Sequence, residues 1–182
     1  MFFFGLVAFV SYRSCLEVFL ATYATEKFGM NLESAAQLLA LLQVAGILGA
    51  PLFGKLSDAT GRRTMLAFLI VCQSAIMYLI TYASLEVLVI LLGAMELVAF
   101  GAIAVSDTFV TEMKARDIIG TLVGVALTAN FLSKALASPI IGFFADQFGF
   151  DFSFRIIFLV NLLALPILAI IKYDGRVDNS NL

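Results

Sequence analysis

The sequence contains no histidine and no tryptophan, only two cysteines and three prolines, and few charges: 13% of its 182 residues are Asp, Glu, Lys or Arg. Each scarcity excludes something. Without histidine there is no imidazole metal ligand and no histidine proton relay. Cys15 and Cys72 both lie inside apolar runs, so they read as ordinary buried thiols and imply no disulfide framework. A net charge of −2 is too small to suggest a nucleic-acid partner. No nucleophile–base set, metal cluster or G-x-x-x-x-G-K-[ST] phosphate loop is present, so the chain reads as neither an enzyme nor an ATP-driven machine, and no cofactor is implied. Nothing resembles a channel selectivity filter.

What fills the chain instead is apolar: 62% hydrophobic residues, 18 of them Phe, with a mean hydropathy of +1.05. A soluble domain of this length needs far more polar surface, so the solvent is a bilayer. The first segment has no basic leader and is too long for a signal peptide. Polar punctuation leaves six runs, each able to cross ~30 Å of hydrocarbon. They are expected near 3–25, 34–56, 64–83, 87–110, 118–144 and 153–172, as one bundle over 1–173 with a cytoplasmic tail at 174–182. The connections are short, so sequence neighbours are expected to pack antiparallel.

With the N-terminus inside, Lys55, Arg62, Arg63, Lys114, Arg116, Lys172 and Arg176 are cytoplasmic, and only Lys27 and Arg155 are outside. This basic asymmetry predicts both termini in the cytoplasm, in a multi-pass protein of the plasma (inner) membrane. Interfacial anchoring falls to Tyr23, Tyr78, Tyr82 and Tyr173.

One string occurs twice. Pro51-Leu52-Phe53-Gly54-Lys55-Leu56-Ser57-Asp58-Ala59-Thr60-Gly61 returns as Pro139-Ile140-Ile141-Gly142-Phe143-Phe144-Ala145-Asp146-Gln147-Phe148-Gly149, so Pro139, Gly142, Asp146 and Gly149 repeat the pattern P-x-x-G-x-x-[SA]-D-x-x-G. The copies follow spans two and five. An odd number of spans separates them, which puts them on opposite sides of the membrane and makes a three-plus-three inverted repeat. Each Pro is expected to loosen its helix at the membrane exit, each Asp to accept backbone donors at a helix N-terminus, and each final Gly to permit a tight turn. The first copy continues into Arg62-Arg63; the second has lost the basic pair.

The run Gly54-Lys55-Leu56-Ser57-Asp58-Ala59-Thr60-Gly61-Arg62-Arg63 resembles the signature loop of the major facilitator superfamily, G-x-L-[SA]-D-x-x-G-R-[RK], and the resemblance covers nearly the whole chain. It implies an all-α membrane fold, one six-helix half of the twelve usual in that family. Span four lacks an Arg, and Ala137-Ser138-Pro139 onward looks like an eleventh helix, so the half is similar to a C-terminal one. The abrupt apolar start and polar end point the same way: a fragment, a split gene product or an incomplete gene call. The resemblance also implies that Asp58, Arg62 and Arg63 control a conformational switch at the cytoplasmic side, with Gly54 and Gly61 shaping the turn. Alternatively Arg62 and Arg63 serve only as topology determinants.

Four ionisable residues fall within the spans: Arg13, Glu17, Glu96 and Lys134. Mid-bilayer charge costs on the order of 2.5–3.5 kcal/mol even on a lenient scale, so these should face a cavity or each other. Arg13 and Glu17 share a face at i, i+4, either as a neutral structural pair or as a substrate or proton site. Glu96 and Lys134 are expected at similar depth, as an interhelical ion pair that is either a structural brace or part of a functional site, with Asn130 one turn before Lys134 on the same face. Spans one, four and five then look cavity-facing, and spans three and six lipid-facing, with Gln73 and Asn161 as interhelical glue. Lacking histidine, a proton carrier would be Glu17 or Glu96.

The reading that results is transport of a small solute by alternating access, as part of a secondary active transporter, with proton coupling as an option. It requires a second six-helix half: a missing N-terminal part, a separate subunit or a homodimer. The alternative is a non-transporting membrane subunit that only associates with other membrane proteins.

Overall fold

The computed structural model describes residues 19–111, 119–163 and 165–166, and among them every regular element is helical. The helices are α1 (19–28), α2 (Leu32–Thr60), α3 (Arg62–Ile80), α4 (Leu85–Thr111), α5 (Ile119–Phe148) and α6 (Phe150–Leu162). Three of these described segments, Leu32–Thr60, Arg62–Ile80 and Leu85–Phe109, are long and apolar enough to cross a membrane. Arg13, Glu17, Cys15, Lys114, Arg116, Lys172, Tyr173, Arg176 and the tail 174–182 lie outside the described residues.

Local chemistry explains the boundaries. Gly29 takes a left-handed φ of 66° to end α1, and Asn31 caps α2 by accepting from the Ser34 N–H at 2.7 Å, with Glu33 in the first turn. The hydropathic runs underestimate two helices. Residues 57–63 and 145–152 read as connections, yet α2 continues through Thr60 and α5 through Phe148, leaving only Gly61 and Gly149 between helices. Hydropathy marks where lipid stops, whereas the i to i−4 ladder runs on in water as long as no breaker intervenes. Pro51 and Pro139 do not end their helices: both lie inside, with nine helical residues following. Each brings no N–H to the carbonyl one turn back, and the helix carries on past it.

Some sequence neighbours pack on each other, as α3 does on α4 and α5 on α6, but the most extensive contact is not between neighbours. α2 and α3 touch little, and α2 packs chiefly on α4, while α3 packs on α4 and α6. The α2–α4 crossing is set by glycine. A Cβ on Gly49 would land on the Leu97 carbonyl, one on Gly46 would meet the Phe100 ring, and one on Gly101 would meet the Phe53 ring. Small residues thus let the two backbones close up in lipid, where packing substitutes for a hydrophobic drive.

Two apolar clusters result. One, built on Phe53, Leu69, Val105 and Phe109, joins α2, α3 and α4 at the Gly61 end. The other, around Leu20, Met77, Leu92, Ile141 and Phe154, draws on all six helices toward the opposite end. There Tyr23 is 1% exposed, so it is no interfacial anchor. Its hydroxyl accepts from Lys27 Nζ at 2.6 Å and donates toward Asp151 Oδ1 (3.1 Å) and the Ile80 carbonyl (3.2 Å). Lys27 also binds the Thr81 carbonyl at 2.7 Å and Asp151 at 3.0 Å. One knot therefore ties α1 to the end of α3 and the start of α6.

Midway along α3, Asn161 of α6 donates to Ser74 Oγ at 2.9 Å and toward the Ile70 carbonyl, fully buried. Asn161 is interhelical glue, as its sequence position suggests. Within the described residues the α2 span is the least covered, with Leu41, Val44, Ile47 and Leu48 exposed, while α3 buries Leu69, Gln73, Met77 and Ile80 on one side and exposes Phe68, Val71 and Leu79 on the other.

Gly49→Leu is expected to overpack the α2–α4 crossing and lower stability by about 1–3 kcal/mol, whereas Gly120→Ala, where a Cβ meets nothing, leaves it unchanged. Thermal unfolding of the detergent-solubilised protein, followed by far-ultraviolet circular dichroism, checks the contrast.

Candidate functional site

The repeated motif closes two turns of the same geometry. Gly61 has φ 89° and ψ 135°, and Gly149 has φ 83° and ψ 163°. Both lie in backbone space that is essentially closed to residues with a Cβ. Each glycine N–H bonds back to the carbonyl four residues earlier, Ser57 at 2.9 Å and Ala145 at 2.8 Å. Each glycine carbonyl in turn accepts from four residues on, Met65 at 3.1 Å and Ser153 at 3.3 Å. One residue thus ends one helix and begins the next.

The two turns are fastened differently. At the first, Arg62 folds back over the last turns of α2. Its Nη2 pairs with Asp58 Oδ1 at 2.5 Å, and its Nη1 donates to Ser57 Oγ and to the Gly54 carbonyl, the latter at 3.2 Å. Ser57, buried, also donates to the Gly54 carbonyl at 2.6 Å. A guanidinium placed against the C-terminal carbonyls of a helix is favourable both as a donor and as a positive charge at the negative end of the dipole. Asp58 does not cap the following helix, contrary to the expectation from sequence: α3 starts at Gly61 with no side-chain cap. The reason is that α2 extends past Asp58, which puts the carboxylate four residues before Arg62.

The Arg62 side chain is 15% exposed and that of Asp58 63%. One partner is embedded against α2, and the other faces outward. Arg63 is half-buried beside them. Gly54 does not shape the turn. It lies within α2, a Cβ there meets nothing, and its contribution is the carbonyl that Arg62 and Ser57 share.

At the second turn Phe150 stands where Arg62 stands in the first. Its ring packs on Phe19, Tyr23 and Phe154 at centroid distances of 6.0, 6.1 and 6.0 Å. Asp146 is exposed. Gly142 lies in ordinary contact distance of the Phe19 ring, and Pro139 is within α5. The polar fastening has moved one residue on, to Asp151 and its Lys27–Tyr23 knot.

The family model described as Major Facilitator Superfamily matches residues 2–181. The chain belongs to the major facilitator superfamily. No curated protein matches it closely enough to name a relative. Membership makes the chain an integral membrane protein of a family of small-solute transporters, not of enzymes.

Of the intramembrane residues anticipated for a superfamily path, Arg13 and Glu17 lie outside the described residues. Glu96 is half-buried on α4, next to the core residue Met95. Asn130 and Lys134 are one turn apart on α5, which touches α4. Among the described residues no group of carboxylates or thiols is arranged to hold a metal ion. Sequence reasoning missed Ser57 as an acceptor for Arg62. It also missed the knot of Tyr23, Lys27 and Asp151, three residues far apart in the chain that no spacing rule connects.

Gly61→Ala and Gly149→Ala are each expected to cost about 1–3 kcal/mol of backbone strain, while Gly54→Ala is neutral or slightly stabilising. Arg62→Gln is expected to lower stability by about 1–2 kcal/mol through loss of charge-assisted bonds to a partly exposed partner. Arg62→Lys recovers only part of it, because an ammonium cannot make the forked contact. The unfolding midpoint of each purified variant in detergent measures these differences.

Proposed function

We propose that the chain forms one six-helix wall of a secondary active transporter that moves a small solute by alternating access. The observation that carries this reading is the Arg62–Asp58–Ser57 fastening of the α2–α3 turn. It makes the ends of two membrane helices a single stiff unit while leaving an acidic edge exposed for a partner. In the proposal Asp58, Arg62 and Arg63 form the cytoplasmic gate, and the Gly149 turn is its mirror on the outer side. The three-plus-three inverted arrangement, both termini in the cytoplasm and location in the plasma membrane are part of the same reading.

The bare apolar residues of α2 and α5, among them Ile47, Leu48, Phe131 and Leu136, support a second six-helix half closing the path. That half is a preceding part of a longer chain, a separate subunit or a second copy. The resemblance of span five to an eleventh helix favours the C-terminal half for this chain. Within the path, Arg13, Glu17, Glu96, Asn130 and Lys134 are the proposed substrate and proton contacts, with Glu17 or Glu96 carrying the proton if transport is coupled to one.

Orientation is tested by single cysteines placed in a background with Cys15 and Cys72 replaced. In intact cells an impermeant maleimide is expected to label Gln147→Cys directly and Thr60→Cys only after permeabilisation. Labelling of both from the same side removes the inverted reading. For transport, proteoliposomes containing a pH-sensitive dye are challenged with panels of sugars, amino acids and organic ions, using the chain alone and with a co-expressed partner half. Solute-dependent flux that falls at least tenfold in Asp58→Asn and Arg62→Gln is the expected result. A stable complex that supports no flux identifies a non-transporting membrane subunit instead.

A further inference from the structure

Where α3 and α6 meet, at the end of the bundle away from Gly61, the rim carries two tyrosines and an arginine. Tyr78 and Tyr82 stack with ring centroids 5.3 Å apart, and their hydroxyls are 3.4 Å from each other. The Tyr78 ring also packs on Phe158 at 5.5 Å, and the Arg155 guanidinium lies 5.2 Å from the Tyr82 ring centroid. All three polar side chains are open to the surroundings, the tyrosines at 43% and 60%.

The chemistry of this group is one-sided. Two hydroxyls that share one hydrogen bond leave one O–H without an acceptor. Arg155 brings five N–H donors and a full charge, and its contact among the described residues is the face of a ring. Its natural helical partner is Asp151, one turn earlier at i, i+4, but that carboxylate is engaged by Lys27 and Tyr23. Among the described residues, the rim therefore offers donors and positive charge with no anion of the protein's own to meet them.

Its level in the bilayer completes the picture. α3 runs 19 residues from Arg62 to Ile80, about 28 Å at the helical rise, close to the ~30 Å of hydrocarbon. With Arg62 at one boundary, Tyr78, Tyr82 and Arg155 lie at the headgroup level of the other. One turn deeper on the Arg155 face, Leu159 is exposed and apolar.

We propose that this α3–α6 rim binds the phosphodiester of a membrane phospholipid, with Arg155 as the charged fork, a tyrosine hydroxyl as a further donor, and an acyl chain running along Leu159 and Phe158. A free phosphate shares the charge but has no apolar body to use that strip, so the lipid is the occupant. The site is independent of whether the chain transports.

The test is native mass spectrometry of the full chain released from nanodiscs of mixed phosphatidylglycerol and phosphatidylcholine. The unaltered protein is expected to retain one phospholipid that Arg155→Gln loses, with affinity reduced about tenfold or more, as for removal of a charge-assisted hydrogen bond. Arg155→Lys should fall between them. The double variant Tyr78→Phe/Tyr82→Phe keeps both rings and should weaken binding severalfold; it decides the matter if Arg155→Gln fails to fold by circular dichroism. Equal lipid retention in all folded variants overturns the proposal. So does displacement of the retained lipid by millimolar inorganic phosphate, which would mark a soluble-anion site.

Discussion

The structure depends on how the ends of its helices are satisfied. A helix leaves its last carbonyls without intrahelical donors, and near a bilayer water is a poor remedy for those that lie deep. Here cations do the work. Arg62 reaches back onto the C-terminal turns of α2, and Lys27 with Tyr23 reaches across from α1 onto the C-terminal carbonyls of α3. Because Arg62 is also the first residue of α3, that helix is held at both ends by charge-assisted contacts. At its middle it is held by Asn161. The same residues that meet a local backbone demand thereby fix which helices are neighbours.

Close packing supplies the rest. α4 contacts both α2 and α3, and the α2–α4 contact is as tight as a backbone allows, because Gly46, Gly49 and Gly101 remove the side chains that would separate the helices. The polar and the glycine devices are complementary. The former fix helix ends and register, and the latter set the distance between axes over the membrane's thickness, where polar fastening is costly.

Much of this is written plainly in the chain. Hydropathy alone marks α2, α3 and α4 as membrane-crossing, and the all-helical class follows from it. The repeated glycines foretell two equivalent turns because positive φ is a property of one residue type. Asn161 is legible as glue because a buried amide in lipid must find a partner. What escapes the sequence is of two kinds. Helix ends beyond the hydrophobic run escape because polar residues such as Asp58 and Thr60 neither forbid nor require helix, so Asp58 reads as a cap when it is an i, i+4 partner. Contacts between distant positions escape because nothing local announces them. Tyr23 looks like any interfacial tyrosine until Asp151 is placed beside it, and Gly54 looks like a turn residue until α2 is seen to pass straight through it.

A single glycine between two helices also has a mechanical meaning. From Thr60 to Arg62 the chain takes two Cα steps, at most about 7 Å when extended, little more than the 5.4 Å pitch of one helical turn. The start of α3 therefore stays close to the end of α2, and α6 is tethered to α5 in the same way. Each pair behaves as a bent lever with little slack at the elbow: whatever tilts α2 must drag the start of α3 with it.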